Sequence, residues 1–359
     1  MFLVDLIDSE EQFENLKQNW ENVYQKDPIA TIFLSWALTK AWILLFPQQW
    51  LVLCVRPSKD SPYVAFFPLR RINNLCLISG GPPLSDYTGF VCQTGYEKGA
   101  ILSIADFIQR KVRWNKLSLE SVLDSRLDLF LRCFPDRSYR IERLAPTACP
   151  TLPLPDTWEE YMMKSIRKNM RKNLRRTMME VDSLSDGALI ETDPENLDNQ
   201  IEAFINTRLK QWGQLPNNPD WYRTLFRTAF SAGSLQLYLL KSGNNTIGGS
   251  VGFVDSFKKI LYDFNLAYDP DYQGIRSPGH AVTIPKIRWA IERGFKYLDF
   301  CCGGYPYKFK LGARERYSDN VIIERKGIRK HVLSLSNKTV QVGRRFIKLV
   351  HNNMSRSEN

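Results

Sequence analysis

Histidine is scarce in this chain of 359 residues: His280, His331 and His351 are the only three. No His/Cys spacing of the kind that holds zinc accompanies them, so a resident metal is not expected. The seven cysteines make no disulfide framework, because their number is odd and the one adjacent pair, Cys301 and Cys302, is poorly spaced to bridge. Unpaired thiols fit a reducing, cytoplasmic setting. Neither adjacent cysteine has a histidine nearby in sequence to activate it, which argues against a thiol nucleophile. Long apolar runs are missing as well. The most hydrophobic stretch, 31–55, is broken by Lys40, Pro47, Gln48 and Gln49 and falls short of the roughly 20 apolar residues that cross a bilayer. The chain opens Met1-Phe2-Leu3-Val4-Asp5, meeting an acid too early for a secretory signal. A soluble protein, at most associated with a surface, is expected.

Positive charge is present in excess. Lysine and arginine number 49 against 38 acids, a net charge of +11, which points to an anionic partner such as a nucleotide, a coenzyme, RNA or an acidic lipid surface. With 43% hydrophobic residues the chain is a folding one, and its length suits two domains.

Ser9-Glu10-Glu11-Gln12 reads as a capping box, with Phe13, Leu16, Trp20 and Tyr24 at helical spacing behind it. Ser35 caps a second helix that Pro47 stops. Strands follow over 50–56, 63–72 and 75–78, with Pro68 arguing for an edge or a bulge. A helix near 97–111, a strand over 116–120, a short helix and a strand over 139–144 come next. Pro146, Pro150, Pro153 and Pro155 then mark a semi-rigid connector and a boundary at residue 150. Beyond it, Thr157 caps one long helix over 158–181, and further helices cover 196–212 and 221–230. Strands over 235–240, 247–254 and 260–267, a Gly-rich loop, a helix over 279–293 and a strand over 297–300 repeat the earlier order. Each half therefore reads as a mixed α/β sheet flanked by helices, duplicated in architecture rather than in residues. A basic helix and tail occupy 331–359.

The stretch 262–312 organises the site. A strand turning through glycine into a helix, with another apolar strand directly after, leaves helix-start N–H groups facing a strand end, where a phosphate fits. Gly274 and Gly279 free the backbone, Ser277 can cap, Pro278 suits the first turn, and Arg276 adds charge beside His280. An ordinary capped loop is the plainer account of the same residues. Asp263 lies within an otherwise apolar and aromatic strand. It is either a general base whose pKa burial raises or a hydrogen-bonded structural carboxylate. Strand alternation puts Tyr262, Phe264, Leu266 and Tyr268 on one face and Leu261, Asp263, Asn265 and Ala267 on the other. The helix bearing Lys164, Arg167, Lys168, Arg171, Lys172, Arg175 and Arg176 carries Met162, Ile166, Met170 and Leu174 every four residues. Its charged face is either solvated or meets tRNA, an acidic membrane or another polyanion.

Phe33-Leu34-Ser35-Trp36, Ser85-Asp86-Tyr87, the basic helix, Ala267-Tyr268-Asp269-Pro270, Ser277-Pro278-Gly279 and Tyr305-Pro306-Tyr307-Lys308 resemble, in that order, GNAT-superfamily acyltransferases of the BioF2-like or CelD-like type, relatives of the Fem peptidyltransferases. The resemblance implies a tandem pair of GNAT-like folds: an acceptor-side half over 1–150 and a donor-side half over 151–330, with the acceptor in the cleft between them. It implies an acyl-coenzyme A cosubstrate at Gly274, Arg276, Ser277, Gly279 and His280, with no permanently bound cofactor. An aminoacyl-tRNA donor, or a non-catalytic relative that holds a nucleotide or polyanion, is the alternative. The acceptor implied is an amine or hydroxyl of a small molecule or an envelope or polysaccharide precursor, and DNA is not an expected partner. Lys40, Asp86, Tyr87 and Arg208 would line the acceptor cleft. Where relatives carry acids before the Tyr-Lys pair, this chain has Gly304 and Tyr305, which leaves Tyr307 or Asp263 as base. Lys308 would stabilise an oxyanion or donor phosphate, or is a lysine exposed after a turn.

Overall fold

The computed structural model describes residues 2–73, 75–80, 85–184 and 189–326. The basic segment expected over 331–359 lies outside the described residues, as does part of the loop over 79–89.

The first half opens with strand β1 (Leu3–Ile7) and then α1 (Glu10–Asn15), where the Ser9 side chain accepts the Gln12 N–H. After a break at Leu16, α2 (Lys17–Gln25) continues, so the apolar residues expected on one helix lie on two pieces that bury Phe13, Trp20 and Tyr24 together. Ser35 caps α3 (Trp36–Leu45) by accepting the Leu38 N–H at 3.3 Å. The strands β2 (Trp50–Arg56), β3 (Ala65–Asn73), β4 (Cys76–Ser79) and β5 (Val91–Cys92) lead to α4 (Glu97–Lys111) and β6 (Lys116–Val122). A short α5 (Leu127–Leu131) and β7 (Tyr139–Ala148) complete this part. Pro68 is on neither an edge strand nor a bulge. It falls in the gap between the β3 residues that pair with β5, 65–66, and those that pair with β4, from Arg70 onward.

The chain then crosses to a second sheet with β8 (Thr151–Pro153), α6 (Trp158–Glu160), α7 (Lys168–Asp182), β9 (Leu189–Ile190), α8 (Leu197–Trp212) and α9 (Pro219–Ser231). It continues through β10 (Leu235–Ser242), β11 (Asn245–Asp255), β12 (Ile260–Tyr268), α10 (Pro278–Glu292), β13 (Tyr297–Asp299), α11 (Pro306–Lys310) and β14 (Tyr317–Arg325). The first sheet runs β1-β2-β3-β4-β6-β14-β7 with β5 beside β3, and the second runs β8-β13-β12-β11-β10-β9. In both, antiparallel strands lead through one helix, α4 or α10, into a parallel partner: β4 beside β6 and β12 beside β13. That is the expected pair of mixed sheets flanked by helices.

Three further expectations change. The last strand, β14, does not stay with the second half; it inserts between β6 and β7, so residues 317–325 belong to the first sheet. The single helix expected over 158–181 breaks at Ile166 and Arg167, whose backbones are extended. Arg171 holds the break by donating to the Met163 and Ile166 carbonyls at 3.0 and 3.1 Å. Finally, a bulge leaves Phe264 unpaired between the Asp263 and Asn265 registers. It reverses the alternation, so Leu266 joins the α10 side with Leu261 while Ala267 shares a core with Tyr262.

The halves are joined by a mixed core in which Phe33 meets Tyr87, Phe253 and Tyr262 edge-on at 5.6, 5.8 and 5.7 Å. This packing fixes the first half against the face of β12 and so shapes the cleft.

Candidate active site

Strands β12 and β13 pair only from Ile260↔Tyr297 to Tyr262↔Asp299, after which β12 continues to Tyr268 and the other chain turns away. A cavity of about 300 Å³ opens in the divergence. The equivalent gap in the first half is closed. Beyond Ser79↔Leu119, Thr88 bridges Val122 and donates its N–H to Ser121 at 3.2 Å. Gly80 permits that closure: at φ 72° it lies where a Cβ would be 2.5 Å from the Thr88 Cβ.

The turn after β13 is over-determined. Asp299 Oδ1 accepts the Tyr87 hydroxyl at 2.6 Å and the Cys301 N–H at 2.8 Å, while Oδ2 accepts from Arg316. Cys301 is held at φ 56°, a left-handed conformation uncommon for a side chain with a Cβ. Lys308 Nζ donates to the carbonyls of Phe300, Cys302 and Gly303 at 2.7, 3.3 and 2.8 Å. Its three protons are thereby committed to backbone, so it braces the turn and has none left for an oxyanion. Burial pushes its ammonium below the usual range, opposed by the nearby thiol of Cys301 and the carboxylates of Asp263 and Asp86.

Asp263 lines the cavity but is ion-paired to Lys286 of α10, both side chains buried. Such a pair is costly to break, and the carboxylate is engaged before any substrate arrives. Tyr307 also lines the cavity. Burial, and next the charge of Asp263, raise its phenol well above the ordinary value, which makes it a proton donor rather than a base.

Asp86 is the carboxylate free of such a partner. It lies half-buried on the cavity wall in the loop before Tyr87, and burial pushes its pKa up to about 6. The Lys308 charge and a hydrogen bond with Cys301 hold it down, and Asp299 pushes it up. A carboxylate ionised at neutral pH yet more basic than usual is suited to accept a proton. Asp86 was expected only among the acceptor ligands, and the structure gives it surroundings suited to a base. Nothing local marks it, because the groups that tune it lie more than two hundred residues along the chain.

The wall opposite is built by α8 and α9. Arg208 donates to the Leu266 carbonyl at 3.1 Å, and Gln211 accepts the Tyr268 N–H at 3.3 Å, so both cap the β12 edge exposed by the divergence. Trp212, Trp221 and Tyr222 add aromatic surface. The other expected cleft residues lie elsewhere. Tyr87 is fully buried behind the cavity, and Lys40 lies on a different surface, paired with Glu14 at 2.6 Å and placed 4.9 Å above the Trp36 ring.

The five expected donor-binding residues do not line this cavity. The Tyr272 ring packs against Gly274, where a Cβ would meet its hydroxyl at 2.4 Å, and the Arg276 N–H donates to Glu180 at 3.2 Å. Ser277 makes no side-chain cap. Gly279 faces open space, and His280 borders a second cavity of about 220 Å³ beside α7. The bend is thus filled over 274–276 and open at the helix start. Gly248-Gly249-Ser250-Val251-Gly252 spells the Gly-x-Ser-x-Gly of hydrolases but runs within β11, where Ser250 is wholly buried rather than raised on a turn.

Residues 165–309 match the family model described as an acetyltransferase (GNAT) domain. This part of the second half is similar to GNAT acetyltransferase domains. Solved structures share the fold over about nine-tenths of the chain. The crystal structure of FemX is 12% identical with a TM-score of 0.58, over 88% of this chain and 96% of that one. A C-terminal domain of a putative lysylphosphatidylglycerol synthetase from Agrobacterium fabrum is 10% identical with a TM-score of 0.56, over 89% and 93%. A tandem GNAT protein from the clavulanic acid biosynthesis pathway is 9% identical with a TM-score of 0.52, over 91% and 100%. No curated protein matches the sequence. The matched segment contains the diverging strands, the Asp263–Lys286 pair and most of α11, while Asp86 comes from outside it.

Proposed function

We propose that the GNAT domain moves an acyl group to an amine or hydroxyl by direct attack in the cavity between the halves, with Asp86 as general base. The observation that carries this is the arrival of Asp86, from the first half, in the gap where β12 and β13 separate. The acceptor nitrogen or oxygen bonds to the acyl carbon as Asp86 takes its proton. The tetrahedral centre then collapses with cleavage of the bond to the leaving group, and Tyr307, kept protonated by burial, supplies the proton that the leaving group needs. Arg208 and the aromatic wall orient the acceptor.

Acyl-coenzyme A is the donor that the GNAT match supports, the leaving group then being its thiol. The acceptor is a small molecule or a glycan or envelope precursor. Aminoacyl-tRNA is the second reading. It is favoured by Tyr272 and Glu180, which fill the bend where a diphosphate would lie, and by the fold shared with FemX. Thiol release from acetyl-coenzyme A, followed against a panel of amines and alcohols, tests the first. Turnover that Asp86→Asn abolishes supports it. No coenzyme binding by calorimetry, together with transfer from aminoacyl-tRNA, would replace it with the second.

A further inference from the structure

Helix α7 has two opposed faces. Leu174, Thr177 and Val181 are buried against the core, and directly opposite them Lys168, Lys172, Arg175 and Met179 follow at intervals of four, three and four residues. That spacing makes one stripe along the helix. Arg167 is exposed at its start. Among the described residues no acid pairs with Arg167, Lys168, Lys172 or Arg175, because Glu180 is taken by Arg176 and Arg276 and Glu160 by Lys164. Met179 ends the stripe and is 67% exposed, and Met163, in the turn before the helix, is 59% exposed with its sulfur accepting from Arg171 at 3.1 Å.

We propose that this face is a docking surface for an anionic lipid bilayer. Three uncompensated cations on one line, with Arg167 exposed at its start, attract a plane of phosphates, and each Lys or Arg near such a surface strengthens binding roughly fivefold. The methionines separate a bilayer from a nucleic acid. A flexible, unbranched apolar side chain gains by entering the boundary between headgroups and acyl chains, whereas a phosphate backbone in water offers it nothing. The chain's own terminal segment is not the occupant on charge grounds: residues 327–359 contain seven Lys and Arg against the single acid Glu358. Docking here is separate from the transfer reaction and its test does not depend on turnover.

The test is co-sedimentation of the full chain with vesicles of phosphatidylcholine, with and without phosphatidylglycerol. Binding is expected only to the anionic vesicles and is expected to weaken as salt rises. Lys168→Glu, Lys172→Glu and Arg175→Glu together should remove it while leaving the melting temperature unchanged, since all three side chains lie in solvent. Met163→Ala with Met179→Ala should weaken vesicle binding several-fold without altering retention on heparin. Equal binding to neutral vesicles, a charge-reversed variant that still sediments, or indifference to the methionine changes would each overturn the proposal. A structured RNA that binds more tightly than the vesicles and depends on the same cations would assign the face to RNA instead.

Discussion

The Tyr87 hydroxyl donates to Asp299 Oδ1 at 2.6 Å, joining the first half of the chain to the end of the strand beside which the cavity opens. The same carboxylate holds Arg316 and the Cys301 N–H. Asp299→Ala leaves all three without their acceptor and is expected to lower stability by about 3 kcal/mol in urea unfolding. Tyr87→Phe, which removes one bond and keeps the ring, should cost only about 1 kcal/mol.

Asp86→Asn is expected to reduce turnover by roughly 10²–10⁴-fold, the range of general-base catalysis. In the parent enzyme the rate should rise with pH through about 6 as Asp86 loses its proton, and the variant should lack that limb.

The same substitution carries a stability signature of definite sign. Because burial raises the folded pKa of Asp86 to about 6, above the ordinary carboxylate value of 3.8, folding favours its protonated form. That contribution is fully present below the unfolded pKa and is lost as pH climbs through the folded one. Asp86→Asn should therefore be more stable than the parent at pH 7, by about 1–3 kcal/mol, and the gap should close near pH 4. Urea midpoints at the two pH values measure it.

Lys286→Met strands the buried Asp263 carboxylate and should cost about 3–5 kcal/mol. Adding Asp263→Leu should recover much of the loss, because the uncompensated charge is then gone. If Asp263 were instead the base, Asp263→Asn would cut turnover as deeply as Asp86→Asn; the expected effect is smaller, with a loss in stability.

Lys308→Met removes three donors from the carbonyls of residues 300–303 and should lower both turnover and stability. Lys40→Ala should leave KM unchanged, since Lys40 lies against Glu14 and Trp36 away from the cavity. Steady-state kinetics beside thermal melts separate the two behaviours.

Local signals were legible where local chemistry decides the outcome. Ser9 and Ser35 cap because their oxygens reach N–H groups three residues on, and the order of strands and helices follows from apolar spacing. The bulge at Phe264 is not legible in β12 alone, because it is set by the register with β11, which alternation within one strand does not reveal. The break at Ile166 was hidden for a similar reason: Met162, Ile166, Met170 and Leu174 keep their helical spacing across it, and only the Arg171 contacts show the interruption.

By itself the sequence determined the duplicated order of elements, the resemblance to GNAT acyltransferases and the basic helix, because each rests on residues close together in the chain. Only the tertiary structure decided which carboxylate is available for chemistry. Asp263 finds Lys286 and is neutralised. Asp86 is carried by the closed loop of the first half into a desolvated wall near Asp299, Cys301 and Lys308, and its proton affinity is the sum of that burial and those charges.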